Sequence, residues 1–292
     1  MLFLAGSVLF STMLTVAFKV CQKLNINTFQ AIVFNYFTCI IGGTVFGNSH
    51  PFDSSVASAK WLPMAIVLGC CFIVFFNITA LTVKRSGVAV AGVATKISLV
   101  IPFLFSVYFF KEASGPLKWM GILLALLSVV LTCYVPRGTG ERQKTALLFL
   151  LPVILFLGTG FQDAMIKFTE QEFLSPDKLD AFLVSCFIIA FSIGFLIMIY
   201  SILSRKIIFE WRAVAAGICI GIPNYLSIWC LVKVLKIYPG ESSFVIPVNN
   251  VSILLLNVIA GYFFFREKLS AINIIGIILA VAAIFLITSN IT

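Results

Sequence analysis

The sequence predicts an all-α integral membrane protein, with ten transmembrane helices arranged as two inverted five-helix repeats. Three observations carry that expectation. Of the 292 residues, 61% are hydrophobic and only 11% charged, with a mean hydropathy of +1.12. A soluble domain carries about 25% charged residues, so this chain cannot cover a water-facing surface. The apolar residues fall into runs of about 20, the length at which a helix crosses the hydrocarbon core. Finally, Phe109-Phe110-Lys111-Glu112 recurs 155 positions later as Phe264-Phe265-Arg266-Glu267. Glu112 then matches Glu267, Gly121 matches Gly276, and 8 of the 24 residues from Tyr108 to Leu131 equal those from Phe263 to Leu286. Self-similarity at a fixed offset marks two copies of one structural unit.

The spans follow in order. The first is expected from Leu2 to Val20 and the second from Thr28 to Phe46. A polar loop with Asn48, His50, Pro51 and Asp53 precedes the third, Leu62 to Val83. Lys84-Arg85-Ser86-Gly87 turns the chain into a continuous fourth span ending at Phe110, and the fifth runs from Pro116 to Tyr134. Residues 135–145 form a linker punctuated by Gly and Pro, without apolar periodicity. It separates a repeat at 1–134 from one at 146–292. The later spans are expected at Ala146 to Ile166, Ala181 to Leu203, Ala213 to Leu235, Ser242 to Phe265 and Ala271 to Thr288. Helices are required because lipid satisfies no unpaired backbone group, and the runs lack the strict alternation of barrel strands. The first run begins at Leu2 with no basic segment before it, so a retained span is expected rather than a cleaved signal.

Five spans per repeat force the second copy to start on the opposite side of the membrane. Inverted repeats of this kind are a signature of secondary transporters, with the substrate site near the midplane between the halves. A Lys/Arg-Glu pair before the last helix of each repeat, with a glycine nine residues on, resembles the EamA branch of the drug/metabolite transporter superfamily. The resemblance covers essentially the whole chain. It implies a polytopic permease or exporter in the cell membrane, a bacterial plasma membrane, carrying small metabolites such as amino acids, sugars or drugs. Relatives carry a proline about ten residues before the Glu in both repeats. Pro102 fits in the first, but Asn257 stands there in the second and Pro247 lies ten residues earlier. The ninth helix is therefore expected to bend at another level than the fourth.

Orientation divides two rules. With the N-terminus cytoplasmic, the inner loops carry seven basic residues (Lys60, Lys111, Lys118, Lys167, Lys178, Lys233 and Lys236) and the outer loops twelve. The positive-inside rule then favours both termini outside, while the resemblance implies both inside. Cytoplasmic termini are the expectation carried forward.

Lys96 is the leading candidate for substrate binding or coupling. It sits near the centre of the fourth span with no adjacent acid, and an ammonium at mid-bilayer costs at least about 2.5–3.5 kcal/mol. Such a residue faces a cavity or a partner. Its functional role would be a counter-charge for a carboxylate or phosphate, or a titrating group; its structural role would be an ion pair. Asp163, preceded by Gln162, lies near the end of the expected sixth span. Aligning Lys19 with Lys167 sets it opposite Thr15. It is a candidate partner of Lys96 or carrier of a coupling proton, or else an interfacial acid at a helix end. Asn249 and Asn250 follow Pro247, and Asn224 and Tyr225 follow Pro223, with Trp229 about one turn later. Proline within a helix frees a carbonyl, and nearby amides then bind it, a neighbouring helix or a ligand. Asn77, Asn35 and Tyr36 complete the polar set. Glu112 and Glu267, each just before a helix start, are expected to cap the fifth and tenth spans by complementing the helix dipole. Gly121, Gly276, Pro102 and Pro247 are expected to be structural.

Composition excludes other classes. Lys and Arg are spread singly or in pairs, so a net charge of +9 marks no nucleic-acid footprint. The eight cysteines lie mostly inside apolar runs without Cys-x-x-Cys spacing, so no metal and no cofactor are expected. No phosphate-cradling loop with its lysine occurs, and no cluster of His, Asp or Glu stands at catalytic spacing, so an enzyme is not expected. The expected partners are lipid, a small-molecule substrate and a coupling proton. The alternative is a membrane receptor or scaffold that binds without transporting.

Overall fold

The computed structural model describes residues 2–46, 56, 58–109, 115–132, 142–174, 178–237, 242–267 and 269–288. The regular structure among them is helical: α1 (Leu2–Lys23), α2 (Thr28–Phe46), α3 (Leu62–Ser86), α4 (Val88–Ile97), α5 (Val100–Phe109), α6 (Pro116–Thr132), α7 (Arg142–Phe173), α8 (Leu179–Leu203), α9 (Trp211–Ile237), α10 (Ser242–Phe265) and α11 (Ala271–Thr288). Eight helices are long and apolar enough to cross a membrane, Val88–Phe109 taken as one; Trp119–Thr132 and Ala271–Leu286 are apolar but shorter. The outer faces carry exposed Leu123, Leu196 and Ile278, as lipid contact requires.

The expected fourth span is broken. Residues 98–99 interrupt the helix between α4 and α5. Pro102 lies four residues after Ser98 and has no N–H to return to the Ser98 carbonyl, and its ring would crowd that carbonyl. Ile101 takes the carbonyl instead, at 2.9 Å. In α10 the equivalent position is Asn257, and the helix runs unbroken from Ser242 to Phe265. The other departure is α7. The sequence places its end near Ile166, but the helix continues to Phe173. Its 32 residues span about 48 Å at 1.5 Å per residue, against a hydrocarbon core of about 30 Å. Asp163 is therefore well inside a helix rather than at its end.

α4 is the innermost element. Val88, Ala89, Ala91, Gly92, Val93, Ala94 and Ile97 are all buried, and α4 packs on α10, α7 and α3. Small residues allow this, since backbones approach closely only where side chains are short. A Cβ on Gly92 would come within 2.7 Å of the Asn257 amide nitrogen. Around it, α1 packs on α9 and α10, α3 on α7 and α8, α2 on α8 and α9, α5 on α7, and α6 on α11. Gly217 and Gly221 seat α9 against α2, where a Cβ would meet the Ala31 and Asn35 carbonyls at 2.7 and 2.8 Å. Gly276 seats α11 against Thr132 of α6 in the same way. Gly121 is buried in α6.

The N-terminus of α11 is closed by a capping box. Ser270 Oγ accepts from the Asn273 amide at 3.2 Å, and Asn273 Oδ1 accepts from the Ser270 amide at 3.0 Å. Asn273 Nδ2 also donates to the Leu131 and Thr132 carbonyls at 3.2 and 2.8 Å, closing the end of α6. One side chain thus serves two helix ends. Asn273→Ala is expected to lower stability by about 1–2 kcal/mol, the usual worth of a cap, measured as a drop in the thermal unfolding midpoint of the purified protein.

Candidate functional site

Lys96 occupies the last turn of α4, two residues before the break, and is half-buried. Its ammonium lies within electrostatic range of Asp163 on α7. The two are farther apart than the 4.0 Å of a direct ion pair. Asp163 is exposed, yet Gly160, Phe156 and Pro152, at three, seven and eleven residues before it, are buried. Such spacing puts them on one helix face. The lipid-facing residues of α7, Leu150, Leu157 and Phe161, lie on another. Asp163 therefore opens into the bundle rather than onto lipid. The break in α4 adds to this polarity: Ser98 Oγ donates to the Thr95 carbonyl at 2.7 Å.

The other candidates separate by role. Asn224 Nδ2 donates to Asn35 Oδ1 at 3.0 Å and approaches Cys39 Sγ at 3.4 Å, tying α9 to α2. Tyr36 is core, 2% exposed and stacked 6.1 Å from Phe187. Asn77 donates to the Ile73 carbonyl of its own helix at 2.7 Å. Gln162 is buried and, as Asp163's immediate neighbour, points about 100° away from it. On α10, Asn249 is buried, Asn250 is half-buried, and Asn257 lies against α4. The Oδ1 atoms of Asn249 and Asn257 have no hydrogen-bond partner among the described residues. Nothing is described for the Pro247 side chain or for Glu112, which lies outside the described residues.

Tyr225 and Trp229 line a cleft of about 170 Å³ between α2, α8 and α9, with Gly43, Phe46, Asp180 and Lys233 among its other walls. Asp180, Lys233 and Phe46 are absent from the sequence-based candidates. Asp180 opens a helix and Lys233 ends a run, so both read as loop charges until the fold brings three helix ends together.

Glu267 caps a helix, but not the expected one. With α11 closed by Ser270 and Asn273, the Glu267 carboxylate turns to α4 in the other half of the chain. Val88 N–H donates to Oε1 and Oε2 at 2.9 and 3.1 Å, and Ala89 N–H donates to Oε2 at 3.3 Å. Lys19 of α1 pairs with Oε1 at 3.3 Å and donates to the Val83 carbonyl at 3.2 Å. Two glycines make room. A Cβ on Gly261 or Gly87 would meet this carboxyl at 2.5 or 2.8 Å, and Gly87 holds φ at +98°, a conformation that disfavours any other residue.

Residues 1–134 match the family model described as the EamA-like transporter family. The first half of the chain is an EamA-like transporter domain. Its family is one of membrane transporters, not of enzymes, in keeping with a multi-pass membrane protein. Over 284 residues the chain is 26% identical to an uncharacterized protein of Haemophilus influenzae (strain ATCC 51907 / DSM 11121 / KW20 / Rd), covering 96% of this chain and 94% of the relative. A solved crystal structure shares the fold, with a TM-score of 0.61 at 15% identity, covering 98% of this chain and 94% of that one.

The polar residues of the bundle thus divide between helix-joining amides and open charges. Asn224→Ala is expected to lower stability by about 1 kcal/mol, as interhelical hydrogen bonds in membranes do, while leaving ligand affinity unchanged. Paired thermal-unfolding and binding measurements check both parts.

Proposed function

We propose that the chain is a secondary transporter of a small metabolite, built as ten spans in two inverted EamA-like repeats, 1–134 and 146–292, that rock about a site containing Lys96 and Asp163. The observation that carries the reading is an open charged pair at depth in a bundle whose packing survives exchange of its halves. Exchanging α1 with α7, α2 with α8, α3 with α9, α4–α5 with α10 and α6 with α11 turns each major packing pair into another. The contacts α1·α9 and α3·α7 swap, as do α2·α9 and α3·α8, and as do α1·α10 and the packing of α4–α5 on α7. The pairs α2·α8, α4·α10 and α6·α11 map onto themselves.

Cross-chain contacts support ten crossings. Phe3 meets Trp229, Trp61 meets Phe182 and Phe109 meets Phe168 at the end where α1 begins. Lys19 meets Glu267, Gln30 meets Ile208, Ser86 meets Leu148 and Asn273 meets Thr132 at the other. Counting from the first end, α1 and α7 then run in opposite directions.

In this arrangement the far end is held shut by Glu267, which joins α10 to α1 and α4. The near end carries the cleft and the opening onto Asp163. Substrate enters from the near end, its anionic group pairs with Lys96, and release to the far side requires Glu267 to leave the α4 terminus. Asp163 is the group placed to carry a coupling proton. The proposed location is the plasma membrane with both termini cytoplasmic, which a C-terminal reporter fusion active on one side tests.

The function is tested by a thermal-shift screen of the purified protein against a metabolite library, since a ligand of the folded state raises its stability. Hits then go to flux assays in proteoliposomes. Binding without flux for every hit would favour the receptor reading. Lys96→Ala is expected to abolish flux while leaving the protein inserted and folded; normal flux in that variant would remove Lys96 from the mechanism. Glu267→Ala is expected to speed thiol labelling of a cysteine placed at Ala91, buried behind the far-end contact, when reagent is supplied from that side of sealed vesicles. Unchanged labelling would show that the contact is not a gate.

A further inference from the structure

We infer that the cleft between α2, α8 and α9 is a second, peripheral binding site for a small zwitterion with an apolar body. It goes beyond the Lys96 site, because neither α4 nor α7 contributes to its lining. The walls supply one charge of each sign. Asp180 stands in the first turn of α8 and Lys233 near the end of α9. They do not form an ion pair with each other, so both charges are available to a ligand.

Between them lies an aromatic face. Phe46 stacks on Tyr225 with ring centroids 6.2 Å apart and lies 6.3 Å from Trp229. The Lys233 ammonium rests 5.4 Å from the centre of the Trp229 ring, a cation–π position it can leave for a carboxylate. Gly43 forms part of the wall, and its absent side chain lets α2 and α8 approach closely beside the cleft. A Cβ there would already meet Val184. An interfacial anchor would account for Lys233 and Trp229, since such residues gather at membrane surfaces. It gives no reason for Asp180 to face the same space, close enough to Tyr225 to act on it electrostatically.

An ammonium on Asp180 and a carboxylate on Lys233 are therefore the two ends of the ligand, with its hydrocarbon against Phe46, Tyr225 and Trp229. The site lies where the bundle opens, and it captures ligand before the central site does.

The test is equilibrium dialysis of tritiated L-leucine against the purified full chain. N-acetyl-L-leucine, which lacks the ammonium, and L-leucinamide, which lacks the carboxylate, serve as competitors. Leucine is expected to outcompete both by about tenfold or more, the worth of one charge-assisted hydrogen bond. Asp180→Asn is expected to weaken leucine and leucinamide but not N-acetyl-leucine. Lys233→Gln is expected to weaken leucine and N-acetyl-leucine but not leucinamide. Asp180 and Lys233 both stand on the cleft wall and away from Lys96, so these two charge variants separate this site from the central one. Absence of saturable leucine binding, equal affinity for the three compounds, or charge variants that bind like the wild type would each overturn the proposal. The wild-type ranking stands as a test even where a variant fails to fold.

Discussion

One carboxylate holds the arrangement of this bundle. Glu267 accepts two backbone amides at the start of α4 and an ammonium from α1, and it does so from the end of α10. Three helices from both halves of the chain meet on it. Its strength is local: the N-terminus of a helix offers unpaired donors and a positive dipole end, and both favour an anion. Because the carboxylate is largely shielded from water, at 13% side-chain exposure, its loss would leave those donors unpaired and strip Lys19 of its counter-charge, with only the Val83 carbonyl remaining to it among the described residues. A network with several members costs most when it is partly broken, which suits the gating role proposed for it.

The fixed position of α4 follows from this. With its start held by Glu267 and its flanks lined by alanine and glycine, the helix can be buried on nearly every side without a long polar surface to satisfy. Its one long polar side chain, Lys96, comes where the helix stops. The chain thus concentrates the cost of a buried cation at the point where Pro102 has already interrupted the helix. Asp163 reaches the same region from α7, and the two need no direct contact to moderate each other's charge in a medium of low dielectric.

Much of the fold was legible in residue order. The helices and their approximate ends follow from apolar length, eight of them long and apolar enough to cross a membrane and two more apolar but shorter. The sequence also singled out Lys96 and Asp163, because charge inside an apolar run stands out by itself. What it could not show are relations between distant segments. Glu267 sits just before a helix start in sequence, yet Ser270 and Asn273 take that duty, and only packing decides which of two nearby helix ends receives the carboxylate. Asn224 and Asn35 look like ligand-binding amides until they are seen to bond each other. Asp180 and Lys233 look like ordinary flanking charges until α2, α8 and α9 converge. The end of α7 is hidden for a simpler reason: Lys167, Glu170 and Glu172 lower the hydropathy, but a helix continues past an apolar run as long as its backbone bonds are made.

The interruption at residues 98–99 has a consequence for energetics. A machine with two equivalent halves would have mirror-related resting positions of equal free energy, and nothing in its own scaffold would favour one. Here the first half is hinged by Pro102, and the second carries an intact rod through Asn257. In the proposed alternating-access cycle the two resting positions would therefore be inequivalent before any cargo or gradient acts, and the empty protein would be weighted toward one of them. A ligand can move such a balance only by the difference in its affinities for the two positions. In that cycle the weighting would set a threshold that cargo must overcome, and a single helix break would make the proposed duplicated scaffold directional.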